Sequence, residues 1–111
     1  MMNREGARVR SFPAVDAGHG VTRRVLADSP ELMLVEFTFA EGGEGPPHSH
    51  PHVQSTFVKA GRYRFTVGDE SFEVGPGDAF VIPSGVVHGC KVLDGPGVLL
   101  DTFAPRREDF L

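Results

Sequence analysis

The sequence predicts an all-β fold, a sandwich or a small barrel, from three observations. Apolar residues fall in short runs that alternate with polar ones, the two-residue period of a half-buried strand. Fourteen glycines and nine prolines punctuate these runs rather than gathering in one disordered tract. Turn signals recur about every eight to twelve residues, the rhythm of strand-rich domains, and helical periodicity is almost absent.

The elements follow in order. Residues 1–18 read as irregular, with His19 in "AGHG" as a solvated side chain. "GVTRRVLA" (20–27) is a weak strand. "ELMLVEFTFA" (31–40) is a strong one, rich in β-formers and free of breakers, with Met33, Val35, Phe37 and Phe39 on one core-facing side. "RYRFTV" (62–67) alternates Tyr63, Phe65 and Val67 against Arg62, Arg64 and Thr66, and parity alone leaves open which set faces inward. "GDE" (68–70) turns the chain into "SFEV" (71–74) as a hairpin. "GPG" (75–77) precedes the strand "DAFVI" (78–82), and "PSG" (83–85) precedes "VVHGCKVL" (86–93). "DGPG" (94–97) reads as a break before the last strand, "VLLDTFA" (98–104). The tail "PRREDFL" (105–111) is either a frayed, ion-paired end or a segment folded back on Phe110 and Leu111.

Length and composition bound the function. The 111 residues fit one domain. A net charge of -4 gives no basic patch for nucleic acid. No apolar run approaches the roughly 20 residues that span a bilayer. The charged N-terminal stretch does not read as a secretory signal, and one cysteine rules out an internal disulfide framework. These features lead us to expect a soluble, cytoplasmic protein without nucleic-acid or membrane partners. Cys90 reads as a small buried hydrophobe.

The stretch "GPPHSHPHVQ" (45–54) carries three of the five histidines. On an extended strand, positions i and i+2 project to one side about 7 Å apart, so His48 and His50 can converge on one ion. Gln54 has the same parity and offers an oxygen donor. His88, in a later β-rich run, is the candidate fourth ligand. Three imidazoles suit Zn, Cu, Fe or Ni, and the amide oxygen also tolerates Mn. His52 has ligand parity, but Pro51 disturbs the strand, and a supporting or pocket-lining position fits it better.

The spacing carries a resemblance. Gly42, His48, His50, Gln54 and Gly61 follow the first cupin motif, with Gln in place of the usual Glu; Gly77, Pro83, Gly85 and His88 follow the second. Val92 stands where the second motif normally ends in Asn. The two motifs span residues 42–61 and 77–92. The resemblance implies a double-stranded β-helix, the cupin or jelly-roll barrel, with one divalent metal on His48, His50, Gln54 and His88.

The end of the chain adds a narrower resemblance. "LDTFAPRREDF" after such a barrel is similar to the small cupins of pectin degradation, which convert 4,5-unsaturated uronates to open-chain 4-deoxy-5-keto acids. That resemblance implies Asp101 as acid and base, Arg107 on the substrate carboxylate and Phe103 shaping the pocket. It also implies a sugar-acid substrate, and a homodimer is expected. Asp101, Phe103 and Leu99 share one strand face, so the pocket is partly apolar. Two other functions use the same site: a non-haem iron dioxygenase, and a sugar-binding or small-molecule-binding cupin without turnover.

Overall fold

The structure is a computed structural model and describes residues 9–111. Eight antiparallel strands run as β1 (Val15–Gly18), β2 (Val21–Ser29), β3 (Leu32–Phe39), β4 (Glu44–His48), β5 (Val53–Val67), β6 (Glu70–Val74), β7 (Ala79–Ile82) and β8 (His88–Ala104). A single 3-10 turn follows at Glu108–Phe110.

Two long strands organise the barrel. β8 pairs with β3 through residues 97–103 and with β4 through residues 88–91. β5 pairs with β7 through residues 54–57 and with β6 through residues 63–67. β5 and β8 also pair with each other along most of their length. Each long strand therefore gives one half to a face built from β1-β2-β3-β8-β5-β7 and the other half to a face built from β4-β8-β5-β6.

The bend between the faces lies where the β5–β8 register shifts, between Val58 and Tyr63. Gly61 has φ +86°, and a Cβ there would meet the Gly97 Cα at 2.8 Å. A Cβ on Gly97 would run into the Tyr63 ring. Both glycines let the strands cross closely at the corner.

The inner faces close over two apolar clusters. Val21, Phe39, Val58, Tyr63, Phe65, Val92 and Leu99 form one; Val25, Met33, Val35 and Phe103 form the other. The expected stripe on residues 33–39 is core, with Phe37 half-buried between the clusters.

Several expectations change. Residues 15–18, read as irregular, form an edge strand on β2; residues 1–8 lie outside the described residues. The weak strand at 20–27 is a full one, because β3 pairs with it from Val21 to Ser29. "DGPG" does not end a strand: β8 continues through it, and the extra residues bulge at the barrel corner. Arg62 and Arg64 point outward, and both pair with Glu73, at 2.6 and 2.7 Å. The tail folds back, but of the two expected apolar anchors only Phe110 packs against the core, and Leu111 is 54% exposed.

Candidate metal and substrate site

The cavity at one mouth of the barrel, about 210 Å³, collects residues far apart in sequence. His48, Gln54, His88, Asp101, Phe103 and Arg107 all line it.

His48 closes β4, and His50 sits in the following bend rather than on a strand. The expected strand parity is thus not what brings the two together. Prolines at 46, 47 and 51 break regular pairing, and the chain turns so that the rings approach to 5.6 Å between centroids. His88 opens β8 opposite His48, with ring centroids 4.4 Å apart. One nitrogen from each of His48, His50 and His88 lies within 4.8 Å of the others.

Main-chain carbonyls aim the rings. Nδ1 of His48 donates to Pro46 O at 3.0 Å, Nδ1 of His50 to His52 O at 3.1 Å, and Nδ1 of His88 to Val86 O at 2.9 Å. A carbonyl oxygen only accepts, so each Nδ1 holds the proton and each Nε2 keeps a lone pair for a ligand. His88 Nε2 is buried and without a partner. Burial also lowers the pKa of His50 and His88, which favours the neutral, ligating form.

Gln54 sharpens the case for a cation. Its amide nitrogen donates to Thr56 Oγ1 and to Asp101 Oδ2, both at 3.1 Å, which turns Oε1 toward His50 Nε2 at 2.9 Å. With Nδ1 protonated, that contact sets a lone pair against a lone pair. A cation bound by both atoms makes it favourable, and adjacent ligands about 2.1 Å from one ion stand roughly 3 Å apart. The donor set fits a divalent metal.

Asp101 lies beside this cluster on β8, 5% exposed. Burial pushes its carboxyl up to about 7, with the Thr56 hydroxyl and the Arg107 charge pulling the other way. Its Oδ1 is buried without a partner. Phe103, two residues on, shares the inner face and is fully buried.

Arg107 is not a solvated tail residue. Its side chain is 12% exposed, lies over the Phe103 and Phe110 rings, and donates from Nε and Nη2 to the two oxygens of Asp109 at 3.1 and 2.9 Å. His52 stays outside the three-histidine cluster and contributes its carbonyl to His50. Cys90 lines the cavity, but burial pushes its thiol up to about 12, which makes it a poor nucleophile. His19 is exposed.

Sequence reasoning missed two residues here. Thr56 orients the Gln54 amide, and its position two residues along the same strand was the available signal. Arg23 lines the same cavity, and its spacing from Val21 and Val25 was the signal there.

A family model described as a cupin domain matches residues 35–103. The chain belongs to the cupin family. This cupin is 37% identical over 100 residues to the pectin degradation protein KdgF of Dickeya dadantii, covering 89% of this chain and 91% of that protein. Among solved structures, an RmlC-like cupin from Shewanella frigidimarina is 38% identical with a TM-score of 0.86, over 90% of this chain and 89% of the other. KdgF from Halomonas sp. is 34% identical with a TM-score of 0.85, over 92% and 98%. The three-histidine cluster of this cupin is able to hold a metal.

Proposed function

We propose that this cupin linearises 4,5-unsaturated uronates, products of pectin or alginate breakdown, to 4-deoxy-5-keto acids. One divalent ion, Ni, Zn, Mn or Fe, would sit on His48, His50, Gln54 and His88. Held there, it would bind sugar oxygens and stabilise negative charge that develops on them.

The conversion needs no second reactant. The C1 hydroxyl gives up its proton, and the bond from C1 to the ring oxygen breaks to leave an aldehyde. C4 takes a proton as the enol at C5 becomes a ketone. One carboxyl suffices if it accepts the first proton and returns one to carbon.

Asp101 suits that task, and it is the observation that carries the reading. It has one unpartnered oxygen, opens to the cavity, and is tied through Gln54 to the histidine cluster. A carboxyl near 7 populates both protonation states at neutral pH, the condition under which one group can act as base and then acid. Phe103 and Leu99 supply an apolar wall for the carbon ring, and Arg107 adds positive charge at the mouth for an anionic sugar.

The reading treats the chain as one cupin domain acting in the cytoplasm as a homodimer. Val53, Phe57 and Val81, exposed together on the outer face of β5 and β7, support a second copy against that face.

The test supplies metal-loaded protein with the unsaturated monouronates released by a pectate or alginate lyase, following loss of the enol-ether absorbance and the product by NMR. We expect rapid decay and a keto-acid product. Asp101→Asn should slow it by about 10²-fold or more while metal content stays unchanged. Decay no faster than in buffer overturns the reading.

A further inference from the structure

Two arginines reach the cavity, and they differ in how far their charge is already used. Arg107 forks onto Asp109, which holds the Asp109 carboxyl below the usual carboxylate range. Arg23 has no such partner. Among the described residues it makes no ion pair and no side-chain hydrogen bond, whereas Arg10, Arg24, Arg62, Arg64, Arg106 and Arg107 all pair with a carboxylate.

Its position is unusual for an unpaired cation. Arg23 lies on the inward side of β2, flanked on that side by buried Val21 and Val25. Its guanidinium sits over the Phe110 ring, 4.4 Å from the centroid. A cation held over a ring face in this way uses none of its N–H donors in a hydrogen bond to that ring's neighbours, and among the described residues those of Arg23 have no side-chain partner. Arg23 is half-buried as a residue, and a cation with free donors in such a place lacks a counter-charge that an entering carboxylate supplies.

We infer that Arg23 is the principal carboxylate-binding residue of this cavity and selects sugar acids over neutral sugars. The inference rests on the uronate reading above, and it moves the carboxylate fork from Arg107 to Arg23. Arg107 instead holds the wall, clamping Phe103 and Phe110 from the tail.

The experiment measures binding apart from turnover. Galacturonate has a saturated ring and no double bond to rearrange. Calorimetry compares galacturonate and galactose on the metal-loaded full chain and on Arg23→Gln, with metal content and thermal unfolding checking each protein. We expect Arg23→Gln to weaken galacturonate about tenfold to a hundredfold, the worth of a hydrogen-bonded charge, with little change for galactose. On unsaturated uronate the same variant should raise KM far more than it lowers kcat. Equal galacturonate affinity in the two proteins overturns the inference. If Arg23→Gln fails to fold, Arg23→Lys decides: it keeps the charge and loses the fork, so affinity unchanged from the parent overturns the inference and an intermediate loss supports it. Turnover without Arg23-dependent binding sinks this inference alone. Arg23-dependent binding without turnover sinks the linearisation reading alone.

Discussion

The two walls of the cavity are built by opposite means. The histidine wall is fastened by the backbone: three main-chain carbonyls fix the three imidazoles, and a strand-borne amide closes the set. The arginine wall is fastened by side chains: Phe110 contacts both Arg23 and Arg107, and Arg107 clips to the 60%-exposed side chain of Asp109. Backbone contacts inside a barrel are cooperative with the fold itself. An ion pair with one partner in solvent is screened by salt and holds less firmly than contacts within the fold. The first wall is therefore rigid and suited to coordination geometry. The second is adjustable and suited to deciding which molecule enters.

The largest effect should come from the rigid wall. His50→Ala removes one nitrogen of the three-histidine cluster and the contact that Gln54 Oε1 makes with it. Metal affinity, followed as metal content after purification and mild chelation, should drop by more than about 100-fold, since even outer-shell partners of a metal site cost roughly 10–100-fold. Full retention of metal would break the contrast, because the site would then not depend on His50, one of its two buried histidines.

Phe110→Ala attacks the adjustable wall. The half-buried ring packs on Phe37 and Phe103 and carries both guanidiniums. We expect roughly 1–2 kcal/mol of lost stability, below the 3–5 kcal/mol of a fully buried Phe. Substrate affinity should fall with it while metal content holds. Thermal unfolding with parallel metal analysis checks this, and loss of metal would show that the two walls are not separable.

The smallest effect belongs outside the cavity. Arg64→Ala removes one of two exposed pairs to Glu73, so stability should shift by less than about 1 kcal/mol, with kcat and KM unchanged. A marked loss of activity would mean that the outer arginines contribute to the site, contrary to their orientation.

How much of this was legible differs along the same line. The histidine wall comes from two local motifs, and its members can be read off spacing even though the strand geometry imagined for His50 was wrong. The proline-rich bend does the work that a straight strand was expected to do. The arginine wall was not legible as a wall. Arg107 stands among Arg106, Glu108 and Asp109, a composition equally consistent with a solvated tail. Arg62 and Arg64 alternate against apolar residues and face solvent, whereas Arg23 shares the parity of Val21 and Val25 and faces the cavity.

By itself, the sequence determined the all-β class, the core stripe of β3, the hairpin turn after β5 and the set of metal-capable donors. Each of these rests on local periodicity or on residues whose chemistry survives any context. Only the tertiary structure decided that "DGPG" is a corner inside one long strand, that the tail folds over the mouth, and which arginines look inward. A strand's two faces are equivalent until a partner buries one of them. That choice is made by β3, β5 and β8 closing the barrel, through pairings between residues as far apart as Met33 and Phe103.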